Sequence, residues 1–230
     1  MPNSPTSILI FAAGFGTRMG ALTREMPKPL VPLAGRPMID HAIDLARAAG
    51  VSRIVVNLYY RSDQLAAHLE PLGVEVSVEH PRILDTGGGL RNALPLIGPD
   101  PLFTLNPDAA WRGPNPLSHL AAAWDPARMD ALLLLVPRDR AGGYCGAGDF
   151  TAAGDGRLSR GPGQVYAGAQ ILRTELLAEV EDEVFSLNRI WDMMQDRGRL
   201  FGLGYPGQWC DTGTARGLAR GEDLLKDHHV

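Results

Sequence analysis

Seven stretches of this 230-residue chain carry side chains or backbone suited to phosphate and metal chemistry. Ala12-Ala13-Gly14-Phe15-Gly16-Thr17-Arg18-Met19 leaves an apolar run through two glycines, so its N–H groups can approach phosphate oxygens without Cβ obstruction. It is neither a dinucleotide fingerprint, which needs Gly where Met19 stands, nor a Walker loop, which needs Gly-Lys-Ser/Thr at Met19-Gly20-Ala21. By itself it reads equally well as a tight strand-to-helix turn with an incidental Arg18. Lys28 lies between Pro27 and Pro29, which are expected to hold its backbone extended, and it is the only lysine besides Lys226 in the tail. That bracketing beside the glycine loop suggests a phosphate contact.

Five further stretches are ambiguous alone. Asp85-Thr86-Gly87-Gly88-Gly89 enters a helix whose first N–H groups could face an acceptor, or is a flexible turn. Asp108, just past the apolar run Leu102–Leu105, could hold a hard cation at a sheet edge, and Asp211 precedes the last helix; either could be a turn or cap aspartate. Asp149 and Tyr166-Ala167-Gly168 fall in strand-like stretches.

The elements that must position these residues alternate. Apolar runs at Ser7–Ala13, Arg53–Leu58, Val74–Val78, Pro101–Leu105 and Ala131–Val136 are separated by helical periodicity over 37–49, 62–70, 88–97 and 116–123. This predicts an α/β fold, a Rossmann-like mostly parallel sheet with helices on both faces and ligands at the carboxyl ends of its strands. After residue 138, glycine-rich turns divide short strands near 147–152, 157–160 and 165–172, read as a small mixed-strand insertion over the sheet. A helix near 186–197, capped by Ser186, a strand over 199–204 and a last helix from about 214 complete a single domain. Residues 1–6 are expected to form a flexible tail, and 1–136 and 137–230 the two halves of the domain, each serving mainly one part of the ligand.

Composition narrows the function. A net charge of −4 leaves no basic excess for nucleic acid or an anionic membrane. No apolar run is long enough to span a bilayer and the first residues lack signal-peptide features, so a cytoplasmic protein is expected. Cys145 and Cys210, beside small or apolar residues, are expected to be buried structural thiols. Trp124, Trp191 and Trp209 are expected to serve packing.

Taken together, A-A-G-x-G-T-R-M followed by P-K-P-L-V-P-L-A-G-R-P-M resembles the signature of the NTP-transferase family of sugar-1-phosphate nucleotidyltransferases, and matching segments recur near residues 85, 108, 168 and 211. The resemblance implies that Ala12, Ala13, Gly14, Gly16 and Thr17 wrap a nucleoside triphosphate, with Asp85, Gly87 and Gly88 approaching its base. It implies that Arg18 stabilises pyrophosphate and Lys28 the reacting phosphate, that Asp108 and Asp211 bind Mg²⁺, and that Asp149, Tyr166 and Gly168 line a sugar pocket. The acidic residue before Thr-Gly-Gly-Gly is similar to uridylyltransferase members acting on N-acetylmuramate 1-phosphate, which makes UTP and that sugar phosphate the expected partners. Guanylyl transfer to a hexose 1-phosphate, cytidylyl transfer to phosphocholine and a non-catalytic sugar-nucleotide-binding role are the alternatives.

Two departures stand out. Pro107 occupies the usual Gly of the strand-end Asn-Gly-Asp, and the mid-chain lysine that touches the sugar phosphate is missing, with Arg160 or Arg173 as possible substitutes. No hexapeptide repeat is present, so no second acyltransferase activity is expected. A monomer or weak homo-oligomer is expected.

Overall fold

In a computed structural model, which describes residues 4–98 and 100–226, the apolar runs become the strands of one large sheet. The elements are β1 Ser7–Phe11, β2 Pro32–Leu33, β3 Arg36–Pro37, α1 Met38–Ala48, β4 Arg53–Leu58, α2 Ser62–Leu69, β5 Glu75–Val78, α3 Asp85–Ile97, β6 Leu102–Leu105 and β7 Ala109–Arg112. They continue as α4 Pro116–Ala123, β8 Ala131–Pro137, β9 Ala141–Gly142, β10 Phe150–Ala152, β11 Leu158–Arg160, β12 Gln164–Leu172, α5 Leu187–Asp196, β13 Leu200–Gly204, β14 Gln208–Asp211 and α6 Ala215–Lys226.

The main sheet runs β13-β8-β12-β6-β1-β4-β5, and only β12 is antiparallel to its neighbours. Side chains alternate across it as the two-residue strand period requires. Ile8 and Ile10 pack with Ile39 and Ile43 of α1, Leu65 of α2 and Leu117 of α4 on one face. Leu9 and Val55 meet Leu90 and Ile97 of α3 and Ile190 and Met194 of α5 on the other. Both faces are therefore dry, which is why β1 and β8 are continuously apolar. The helix starts follow local chemistry: Asn115 accepts from the N–H groups of Leu117 and Ser118 at the head of α4, with Pro116 at its first position, and Ser186 accepts from Asn188 at the head of α5.

Three expectations change. The segment after residue 147 does not lie over the sheet: β12 is threaded into it between β6 and β8, and β10 and β11 extend from the start of β12. An apolar strand without charge on either face finds more partners inside the sheet than above it. The N-terminal tail, of which residues 1–3 lie outside the described chain, is not loose at its end: Pro5 is buried and the Thr6 carbonyl accepts from Ser52 and Arg53 at 2.9 and 3.1 Å. Finally, a second sheet, β7-β14-β9, has no counterpart among the expected elements. His228 and His229 also fall outside the described residues.

Chain order reverses at β1: α1 leads to β4 on one side, while α3 leads back to β6 on the other. Such a switch opens a crevice at the carboxyl ends of β1 and β6, where ligands of open α/β sheets bind.

Candidate active site

The crevice is lined by the glycine loop, Lys28, Asp85, Asn106 and Asp108, and it runs on past Phe11, Thr86 and Asn106 into a second cleft with Asp149, Arg160, Tyr166, Asn188 and Trp191. The wall on the glycine-loop side begins with Ala12, whose N–H donates to the Asn57 side chain at 2.7 Å. Asn57 in turn donates to Glu79 at 2.7 Å, and the other Glu79 oxygen accepts from the Leu84 N–H at 2.7 Å. This chain of buried polar groups ties the ends of β1, β4 and β5 to the loop carrying Asp85. Burial raises the Glu79 carboxyl above its ordinary value, while the bonds from Leu84 and Asn57 oppose that rise.

The two glycines of the first loop differ in function. Gly16 adopts φ +67°, and a Cβ there would sit 2.8 Å from the Lys28 Cβ, so this glycine lets the loop close onto the proline-bracketed lysine. Gly14 has nothing within 4 Å of where its Cβ would be, and the protein's own packing makes no demand for glycine there. Met19, just past Arg18, is buried with Val31, Leu33, Ala110 and Cys210, which anchors this arm to β7, β14 and α6.

Asp108 and Asp211 come from positions far apart in sequence and become neighbours because β7 and β14 pair with Asp211 opposite Ala109. The Thr212 N–H also donates to the Asp108 carbonyl at 2.9 Å. Lys28 Nζ hydrogen-bonds Asp108 Oδ2; Arg18 lies 3.7 Å from the same oxygen and 3.5 Å from Asp211 Oδ2. Four charges thus meet at one point, and Gly213 sits at its centre: a Cβ there would be 2.7 Å from Asp211 Oδ1, 2.8 Å from Arg18 Nη2 and 3.0 Å from Asp108 Oδ2. The Lys28, Asp108 and Asp211 side chains are 15%, 20% and 19% exposed, against 61% for Arg18. Arg18 is therefore the member held least by the protein and most open to a ligand. Pro107 is buried in the cleft wall and does not prevent Asp108 from reaching this cluster.

Two carboxylates without a third His, Cys, Asp or Glu form a spare donor set, and no larger ligand group occurs among the described residues. Such an all-oxygen pair suits Mg²⁺, which takes its remaining ligands from phosphate and water.

The residues expected to line a sugar pocket assemble at a bulge in β12 between Tyr166 and Gln170. Gly168 adopts φ +85° there, and a Cβ would lie 3.0 Å from the Asn106 Cβ, while its carbonyl accepts from the Asn106 N–H at 2.8 Å. Asp149 lines the cleft but is also spoken for: Oδ2 accepts from the Tyr166 N–H at 2.9 Å and Oδ1 from the Tyr144 hydroxyl at 3.3 Å. Burial pushes the Tyr166 phenol up, keeping it a neutral hydrogen-bonding group. Beneath it, Trp191 donates to Gln170 at 2.8 Å and Gln170 to Thr104 at 3.0 Å, so Trp191 is both packing and cleft wall.

Gly87 and Gly88 are placed otherwise than as base contacts. Both N–H groups donate to the Phe185 carbonyl, at 2.9 and 3.0 Å, and both residues are buried. A Cβ on Gly87 would overlap the Phe185 ring, and one on Gly88 the Glu183 carbonyl. Asp85, at φ +61°, remains in the cleft, on the boundary between its two halves. Of the two arginines offered for the missing lysine, Arg160 lines the sugar-side cleft, whereas Arg173 pairs with Asp130 and Glu175 beyond the carboxyl end of β12, at the opposite edge of the sheet.

Sequence reasoning missed Asn57, Glu79, Asn106, Thr86, Asn188 and Gly213. For the first two a signal existed: a polar residue ending or following an otherwise apolar strand, Arg53–Leu58 and Glu75–Val78. Cys145 is exposed, contrary to expectation, because its glycine-flanked turn leaves the sheet; Cys210 is buried, and burial pushes its thiol up to about 11.

Sheet order, crevice and charge cluster together define an α/β nucleotidyltransferase. Residues 8–190 match the MobA-like NTP transferase domain, and the chain belongs to that family. Over 99% of its length it is 36% identical to the whole of the N-acetylmuramate alpha-1-phosphate uridylyltransferase of Caulobacter vibrioides, and over 94% it is 30% identical to the enzyme of that name from Neisseria meningitidis, covering 96% of it. The fold is shared with a UDP-glucose pyrophosphorylase complexed with UDP-glucose (TM-score 0.79, 15% identity, 97% of this chain and 99% of that one). It is shared too with HddC from Yersinia pseudotuberculosis complexed with GMP-PN (TM-score 0.77, 20% identity, 95% and 98%). This chain is a nucleotidyltransferase of the sugar-1-phosphate class. No helix among the described residues is long and apolar enough to cross a membrane.

Proposed function

We propose that this enzyme transfers a uridylyl group from UTP to N-acetylmuramate 1-phosphate, releasing pyrophosphate, with Mg²⁺ as its metal. The observation that carries the reaction type is the meeting of Arg18, Lys28, Asp108 and Asp211 beside an open glycine loop. The base and the sugar rest on the two relatives that match over nearly the whole chain.

A phosphate oxygen of the sugar 1-phosphate attacks the α-phosphorus in line, the bond from that phosphorus to the β-phosphate oxygen breaks, and pyrophosphate carries away the electron pair. The attacking group is already an anion, so no general base is required. Catalysis then rests on position and charge. Backbone N–H groups of the Gly14–Thr17 loop cradle the triphosphate, Arg18 follows charge onto the pyrophosphate, and Lys28 faces the reacting phosphoryl group. Asp108 and Asp211 would hold Mg²⁺, which supplies Lewis-acid charge to the phosphate oxygens. Asp85 stands where base or ribose would pass toward the sugar, and Asp149, Tyr166 and Gly168 shape the sugar pocket.

The test is pyrophosphate release with UTP, CTP, GTP, dTTP and ATP crossed with N-acetylmuramate 1-phosphate, N-acetylglucosamine 1-phosphate, glucose 1-phosphate, mannose 1-phosphate and phosphocholine, with and without Mg²⁺. Release that needs UTP, N-acetylmuramate 1-phosphate and the metal is the expected result. Preference for another pair replaces the substrate assignment, and silence with retained nucleotide binding replaces the catalytic one.

A further inference from the structure

The cleft carries cations at both ends, and one of them is not used by the reaction. Arg18 and Lys28 line the nucleotide side; Arg160 lines the sugar side, with Phe11, Asp85, Thr86 and Asn106 shared between the two. Along the sheet, β11 stands four strands from β1, on the order of 19 Å at about 4.8 Å per strand. Arg160 thus belongs to the far end of the sugar pocket rather than to the phosphate cluster.

Its side chain is held in one pose. Nε forms an ion pair with the half-exposed Asp192 at 2.8 Å and Nη2 donates to the Asn188 carbonyl at 3.0 Å, so that Nη1 is the nitrogen left to a ligand, while the Arg160 backbone N–H donates to Gln195 at 2.9 Å. The guanidinium also lies over the rings of Phe150, at 4.8 Å, and Trp191, at 5.4 Å. A guanidinium fixed on aromatic faces is weakly hydrated and meets a planar anion with little further loss of freedom. Asp149, an acid of the same wall, has its two oxygens turned to Tyr166 and Tyr144. The two sugar phosphates differ at one ring oxygen, where N-acetylmuramate carries a lactyl ether ending in a carboxylate and N-acetylglucosamine a hydroxyl.

We propose that Arg160, set in the Phe150–Trp191 pocket, receives the lactyl carboxylate and makes the enzyme prefer N-acetylmuramate 1-phosphate to its N-acetylglucosamine counterpart. The proposal rests on the sugar assigned above. It gives the chain's missing lysine a replacement with a different task, reading the sugar rather than its phosphate.

The experiment compares kcat/KM with UTP for the two acceptors in the wild type, Arg160→Gln and Arg160→Lys, checking each variant's fold by thermal melting. Where N-acetylglucosamine 1-phosphate is not turned over, its inhibition constant takes the place of kcat/KM. Arg160→Gln should lose about 10- to 100-fold on N-acetylmuramate 1-phosphate, as expected for one charge-assisted hydrogen bond, and change by less than about threefold on the other acceptor. Arg160→Lys, which keeps the charge and guards against a folding failure of the glutamine variant, should give a smaller loss in the same direction. An equal loss on both acceptors, as for a phosphate contact or a strap between β11 and α5, would overturn the proposal while leaving the substrate assignment intact; so would no loss. A wild type without preference for N-acetylmuramate 1-phosphate overturns both.

Discussion

Two glycine-rich loops enter helical segments at the same edge of the sheet, and they serve opposite purposes. In Gly14-Phe15-Gly16 the space beside Gly14 is empty and opens on the cleft. In Gly87-Gly88-Gly89 the space is filled by the protein itself, by the Phe185 ring, the Glu183 carbonyl and the Glu79 carboxylate in turn. One loop is bare beside open space, where a ligand has room to approach; the other is bare so that the 183–185 segment and the Glu79–Asn57 pair can pack against the head of α3. A run of glycines states only that backbone is approached closely, and the identity of what approaches comes from the surrounding fold.

The largest expected effect tests what the open loop faces. Asp108→Asn or Asp211→Asn should leave a folded protein with turnover reduced at least about 100-fold, the scale of losing an electrostatic element at the reacting centre. Normal pyrophosphate release in both variants would show that the open space beside Gly14 does not lead to a metal-assisted phosphate site.

Next come the glycines themselves. Gly88→Ala should lower stability by about 1–3 kcal/mol through overpacking, read by urea unfolding, with kcat of the folded enzyme within about twofold. Gly14→Ala should reverse the pattern, leaving stability within about 0.5 kcal/mol and raising the KM for the nucleotide about 10-fold, the equivalent of roughly 1.4 kcal/mol of lost approach. The contrast breaks if Gly14→Ala unfolds the protein and spares KM.

A smaller effect concerns the carboxylate behind Gly89. Burial raises Glu79 above its ordinary 4.5, so the protonated form suits the folded chain better. Its contribution to stability is present in full below about that value and is lost as pH rises through the folded value. The stability of the wild type relative to Glu79→Gln, followed by urea unfolding between pH 4 and pH 8, should therefore fall with rising pH. A flat difference would mean that the closed loop does not desolvate Glu79.

The least perturbing test uses the cysteines, since Cys210 packs in the cluster that anchors the open loop's arm and Cys145 does not. With its thiol pushed up to about 11, Cys210 should resist a thiol reagent at neutral pH while Cys145 reacts promptly, giving a titre of one until the chain is unfolded. Two fast thiols would indicate that the cluster around Met19 and Val31 opens readily.

Much was legible in the chain itself. Alternating apolar runs and helical periodicity determined the mostly parallel sheet, because a strand buried on both faces must be apolar throughout and its crossover helices must be amphipathic. Gly14, Gly16, Arg18 and Lys28 were legible as one candidate arm for phosphate, being neighbours along the chain, and the structure gathers them along one crevice. Asp108 and Asp211 were legible from their own surroundings only as aspartates at element ends, and it was the family resemblance that named them together. What brings them together is the β7–β14 register, an antiparallel pairing between segments about a hundred residues apart, and short strands of this kind leave little periodic signal. The same holds for the choice of Arg160 over Arg173: both are arginines at the ends of strands that run the same way, and only the stagger between them, with Phe150 of β10 facing both Arg160 and Gln164, sets the end of β11 level with the start of β12 and leaves Arg173 at the far edge. Local sequence determined which groups this protein owns, because propensity and burial act over a few residues; the tertiary fold decided which of them share a point in space, because that depends on strand pairings made across the whole chain.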